Sequence, residues 1–157
     1  MSPWEMKLQS SFGGKIDILC ASVGTGGAIM GAWNGLRKAV PKIKLVAFEP
    51  LQSPLLTTGK GGAHQVEGIG VGFEPPFLDQ SVLTEIRAID QELGFAMCRQ
   101  LAHEEGVFCG ASTGLNVVGA IELAKEIGPG KRVVTFACDS GLKYLGGHVY
   151  LRKNEGF

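Results

Sequence analysis

The stretch Ser22-Val23-Gly24-Thr25-Gly26-Gly27-Ala28 constrains the fold more than any other part of this 157-residue chain, because it joins a strand-like run to a helix-like one. Upstream, Ile16-Asp17-Ile18-Leu19-Cys20-Ala21 is short, largely apolar and β-branched, as a strand covered on both faces requires. Downstream, residues 28–39 read as a helix that Pro41 ends. Gly24, Gly26 and Gly27 lack a Cβ, so the backbone between the two elements can turn sharply and bring successive N–H groups toward one anion. The unpaired amides and the positive dipole end of the helix would face the same point, with Thr25 adding a hydroxyl. The alternative is a tight strand-to-helix turn, with Gly27, Gly31 and Gly35 letting the helix lie close to a sheet. The pattern alone does not decide between them.

Strand and helix signals alternate along the rest of the chain. A strand is predicted over 44–49, an irregular stretch from Pro50 to about Pro76, and a strand near 84–89. A helix over 91–105 follows, with Asp90 as N-cap and Gly106 as C-terminal stop. Then come a short strand at 107–109, a helix over 115–127 closed by Gly128 and Pro129, and a strand over 132–137. This order implies an α/β fold of three layers, αβα, with a mainly parallel sheet covered on both faces. Ligands of such sheets sit beyond the carboxyl ends of the strands, so the loops to watch are 22–28, 50–54, 110–114 and 138–141. Taken alone, Ser112-Thr113 and Asp139-Ser140 read as helix caps.

Composition narrows the partners. At 45% hydrophobic, the chain can bury one sizeable core, predicted as a domain over 13–151 flanked by an N-terminal segment 1–12 and a tail 152–157. Fifteen basic residues balance fifteen acidic ones with no run of like charge, which argues against nucleic acid and against an anionic membrane surface. No apolar stretch approaches the roughly 20 residues that span a bilayer, and Met1 to Phe12 carries no signal-peptide core, so the expectation is a soluble, cytoplasmic protein with a small neutral or zwitterionic partner. Cys20, Cys98, Cys109 and Cys138 have neither CxxC spacing nor paired histidines, which predicts free buried thiols and no metal site.

Five motifs in one order resemble the cysteine synthase (O-acetylserine sulfhydrylase) family of fold-type II pyridoxal phosphate enzymes. They are Gly24-Thr25-Gly26-Gly27, Glu49-Pro50 with Ser53-Pro54, Glu67-Gly68-Ile69-Gly70-Val71-Gly72-Phe73 with Pro75-Pro76, Ser112-Thr113-Gly114, and Asp139-Ser140-Gly141-Leu142-Lys143-Tyr144-Leu145. The resemblance runs from about Gly14 to Leu151 and implies the large-domain part of that fold. It implies that Gly24, Thr25, Gly26, Gly27 and Ala28 hold the pyridoxal phosphate group, that Gly68 lies over the cofactor near the reacting carbon, and that Ser112 lies beside the pyridine nitrogen. A neutral hydroxyl there leaves the ring a less complete electron sink, which suits expulsion of a β-substituent. Cystathionine β-synthase shares these loops, so its activity is the alternative within the family.

Three departures stand out. Ala28 replaces a usual threonine and removes a hydroxyl that bonds the phosphate, a net loss of about 0.5–1.5 kcal/mol. Glu67 replaces a common glutamine, and a carboxylate there is unfavourable unless it faces solvent or is neutralised. The family's Schiff-base lysine and its asparagine loop precede the Gly-rich loop, whereas here 23 residues precede Gly24, and neither Lys7 nor Lys15 stands in the lysine motif. The expectation is half an active site with no catalytic residue of its own: a fragment, a split subunit awaiting a lysine-bearing half, or a noncatalytic module that binds phosphate, pyridoxal phosphate or a protein. Uncovering Val23, Ile69, Val71 and Leu115 would then promote a homo-oligomer.

Overall fold

In a computed structural model, which describes residues 6–7, 10–11 and 15–151, strand β1 (Ile18–Ser22) lies between β2 (Lys44–Pro50) and the short β4 (Val133–Val134), with β3 (Glu85–Ile89) beyond β2. Every pairing is parallel, with Ile18 opposite both Lys44 and Val133 and Val46 opposite Glu85. The expected flanking segments 1–12 and 152–157 lie largely or wholly outside the described residues.

Side chains alternate across a strand, and here each face of the sheet owns its own core. Ile18, Cys20, Val46 and Phe48 pack with Phe95 and Cys98 of α3 (Gln91–Glu104) and with Leu115 and Val118 of α4 (Ala111–Ile127). Leu19, Ala21, Leu45 and Ala47 pack instead with Ile29, Ala32 and Leu36 of α1 (Gly27–Leu36). The expected layering is therefore present. Asp90 caps α3, its carboxylate accepting the Glu92 N–H at 3.0 Å. In the long irregular stretch one short helix, α2 (Leu55–Thr58), is held by buried Glu49, which accepts the amides of Leu56 and Thr57 at 2.7 and 2.9 Å.

Several boundaries differ from expectation. α1 ends at Leu36, and the next turn is closed by the Ala39 and Val40 amides donating to the Leu36 carbonyl. Residues 107–109 form no strand; Cys109 makes only an isolated antiparallel bridge to Ser140. The expected strand 132–137 shrinks to two residues, because β4 pairs with β1 only at its first two positions. α4 begins at Ala111 with Gly110 as N-cap, so Ser112 and Thr113 are first-turn helical residues and not caps.

Two exposure expectations are corrected. Val23, Ile69 and Leu115 are buried: the Gly70 amide donates to the Val23 carbonyl at 3.1 Å, folding the 67–72 segment over the end of β1, while Leu115 packs into the core shared with α3. Of the four residues expected at an uncovered face, Val71 alone is exposed. Cys20, Cys98 and Cys109 are buried thiols as expected, but Cys138 is exposed. Desolvation pushes the Cys20 and Cys98 thiols up to about 12.

Candidate functional site

The site begins where β1 stops. Asn116, fully buried on α4, accepts the Ser22 amide at 2.7 Å and donates to the Phe136 carbonyl at 3.0 Å, which fixes the point at which the chain leaves the sheet. The next residues turn against backbone. A Cβ on Gly24 would collide with the Gly68 carbonyl, and Gly26, the N-cap of α1, has φ +87° with Leu78 N 2.8 Å from where its Cβ would stand. Only glycine meets both demands. By contrast, a Cβ on Gly31 would meet nothing within 4 Å, so that glycine is not there to let α1 approach the sheet.

This turn leaves amides to spare. The first hydrogen bond of α1 runs from Met30 N–H to the Gly26 carbonyl at 3.1 Å, so the Ala28 and Ile29 amides precede the helical ladder. The Gly27 amide lies 3.4 Å from Thr25 Oγ1, and among the described residues no acceptor is recorded for the amides of Gly24, Thr25 or Gly26. No acidic residue occupies the first turn of α1. The segment has the geometry and the field that suit an anion.

All seven residues singled out from the sequence line one cleft of about 310 Å³: Gly24, Thr25, Gly26, Gly27, Ala28, Gly68 and Ser112. Ser22 lines it too, and its buried hydroxyl has no partner among the described residues. Across from the cradle, Lys143 Nζ lies 2.8 Å from Glu67 Oε2, and the Tyr144 hydroxyl donates to Asp139 Oδ2 at 2.8 Å. Glu67 is thus neutralised by an ion pair and half open to water, the condition its presence beside an anion requires. The same contact raises the pKa of the Lys143 ammonium, and burial first, then Asp139, raises that of the Tyr144 phenol. Lys15, which is exposed, does not line the cleft.

Sequence reasoning passed over Asn116, read Thr113 as a cap, and quoted Lys143 and Tyr144 in a motif without giving either a role. Asn116 carried a signal of its own, an amide set in the apolar run of α4, where a buried polar group needs partners. Thr113 Oγ1 accepts the Cys138 amide at 2.9 Å and ties the start of α4 to the 138–141 loop. Ser140 does act as a cap, accepting the Leu142 N–H ahead of the 3-10 turn Gly141–Tyr144.

A family model described as pyridoxal-phosphate dependent enzyme matches residues 4–139. The chain belongs to this family. A cysteine synthase of Staphylococcus aureus (strain Mu50) is 40% identical over 143 residues, covering 91% of the chain and 46% of that protein. Among solved structures, O-acetyl serine sulfhydrylase isoform 3 of Entamoeba histolytica superposes with a TM-score of 0.89 at 29% identity, over 98% of this chain and 46% of that one. An O-acetylserine dependent cystathionine beta-synthase from Helicobacter pylori superposes with a TM-score of 0.88 at 32% identity, over 94% and 48%. The chain spans about half the length of the curated relatives it matches. The resemblance to cysteine synthase and the α/β fold both hold, and pyridoxal phosphate is the cofactor that membership in this family implies. Among the described residues no helix is long and apolar enough to cross a membrane.

Proposed function

We propose that this chain forms the phosphate-holding and ring-flanking side of a pyridoxal phosphate site in a cysteine-synthase-type enzyme, one that exchanges the β-substituent of an activated serine for sulfide. The observation that carries this reading is the convergence of Gly24–Ala28, Gly68 and Ser112 on one cleft at the carboxyl end of β1. The residues fit the group. A phosphate needs several donors at once, and the cradle offers backbone amides without acceptors, a helix N-terminus without acid and the orphaned Ser22 hydroxyl. Glycine at 24 and 26 lets the cradle backbone pack against Gly68 and Leu78 and so holds its shape.

When bound, pyridoxal phosphate supplies an electron-withdrawing ring that eases departure of a β-substituent from an amino acid. The chain's own residues orient it. The backbone of 24–28 would hold the phosphate, Ser112 would offer the ring nitrogen an uncharged hydroxyl, and Gly68 would flank the ring. Lys143 is the sole lysine among the described residues lining the cleft, and Glu67 engages it. The amine for the aldehyde and the loop for the substrate carboxylate are therefore assigned to a lysine-bearing half, and the chain alone is expected to bind without turning over. That half is the partner the reading requires.

Calorimetric titration of the purified chain with pyridoxal phosphate, inorganic phosphate and pyridoxal tests the reading. Pyridoxal phosphate should bind, phosphate should compete with it, and pyridoxal should bind at least tenfold more weakly. Equal affinity for pyridoxal and its phosphate, or no binding of either, overturns the assignment.

A further inference from the structure

Building on the cofactor reading above, we infer that Glu67 and Lys143 form a charge-balancing strap across the mouth of the cleft, and that Lys143 is the side chain that selects dianionic ligands there. Glu67 immediately precedes Gly68, whose carbonyl packs against Gly24, so its carboxylate stands one residue from the cradle wall. Lys143 approaches from the opposite side on the 3-10 turn Gly141–Tyr144, which Ser140 caps and the Tyr144–Asp139 hydrogen bond steadies. Their contact at 2.8 Å joins segments far apart in the chain.

The charges around the cleft give this contact its consequence. Among the described residues that line it, Lys143 is the one cationic side chain, against the carboxylates of Glu67 and Asp139. Unpaired, the two acids would oppose a phosphate dianion seated on the amides of 24–29. The side chains of Lys143 and Glu67 are 60% and 61% exposed, so the pair adds little to folding stability. Exposure also leaves the ammonium free to swing from the carboxylate toward an arriving phosphate. Gly68, Gly70 and Gly72 all have positive φ, at 82°, 57° and 78°, so the segment bearing Glu67 turns at glycines while buried Val66 and Ile69 anchor it in the core.

The test is pyridoxal phosphate affinity, read by calorimetry, for the wild type, Lys143→Met, Lys143→Arg, Glu67→Gln and the Glu67→Gln/Lys143→Met double variant. At about 20 mM salt, Lys143→Met should bind about fivefold more weakly and Glu67→Gln about threefold more tightly, with Lys143→Arg close to wild type. The double variant should return to within about twofold of wild type, and all differences should shrink at about 500 mM salt. Melting temperatures should be unchanged, which separates a field effect from lost structure. Wild-type binding that neither single substitution alters overturns the strap and leaves the cofactor reading standing. A wild type that binds no pyridoxal phosphate overturns both.

Discussion

Asn116 Oδ1 accepts the Ser22 amide at 2.7 Å while its Nδ2 donates to the Phe136 carbonyl at 3.0 Å, so one fully buried side chain on α4 fastens the end of β1 to the segment that follows β4. Asn116→Ala leaves a buried donor and a buried acceptor without partners and should cost about 2–4 kcal/mol. Asn116→Asp keeps the acceptor for Ser22 but sets a carboxylate oxygen against the Phe136 carbonyl. It should be destabilised at neutral pH and recover in acid, where the protonated group can donate. Urea denaturation at several pH values reads both effects.

The thiols should separate sharply by reactivity. Cys20, Cys98 and Cys109 are buried, with desolvation raising each thiol above its usual range, whereas Cys138 is exposed on the cleft wall. A disulfide reagent should label one thiol quickly in the native protein and all four in urea. Cys138→Ser should remove the fast phase. Saturating phosphate should slow it in the wild type, because the ligand and the reagent would share the cleft.

At Gly26 the backbone and the available space act together. With φ +87° and Leu78 N 2.8 Å from the Cβ position, Gly26→Ala should destabilise the fold by about 1–2 kcal/mol and weaken phosphate binding by more than tenfold. Gly31→Ala, on the same helix with open space around it, should bind phosphate as the wild type does. Thermal melting and phosphate titration of the pair distinguish damage to the cradle from damage to α1.

Much of this was legible in the residues. The β-branched run before Gly24 and the Asp90 cap each act through neighbours in sequence; the helix over Gln91–Glu104 formed within one residue of expectation, and β1 began two residues late, at Ile18. The 22–28, 110–114 and 138–141 loops of the cleft were marked by the rule that the carboxyl ends of parallel strands share one edge, whereas Gly68 and the place of Ser112 came only from the family resemblance. What stayed hidden depended on distant partners. The 107–109 segment has the composition of a strand but no neighbour to pair with beyond the single bridge to Ser140. Ser112 and Thr113 look like caps, but Gly110 takes that position and frees Thr113 to hold the Cys138 amide. Val23 and Ile69 were read as uncovered because nothing in a local window reveals that the 67–72 segment folds back over β1.

Acid should expose the contribution of Asp17. Its carboxylate accepts the Arg132 amide at 2.9 Å and faces Lys131 Nζ at 3.3 Å, joining the residues just before β1 and β4; the Arg132 hydrogen bond first, and Lys131 after it, holds its pKa below the usual carboxylate range. A depressed folded-state pKa means stability that is present above the unfolded-state value and lost as pH falls through the folded one. The stability difference between wild type and Asp17→Asn should therefore be full above about pH 5 and shrink steadily below about pH 4, as followed by chemical denaturation across that range. A difference that stays constant down to pH 2 would falsify the assignment.

The bond from Gly70 N–H to the Val23 carbonyl, with Gly24 seated against Gly68, makes the two walls of the cradle a single preassembled piece. On the proposed reading, an anion arriving there would meet amides already in place, and little of its binding free energy would be diverted into ordering the chain. The backbone wall is then a mould already set, and only side chains at its rim, such as Lys143, have to move when a ligand arrives.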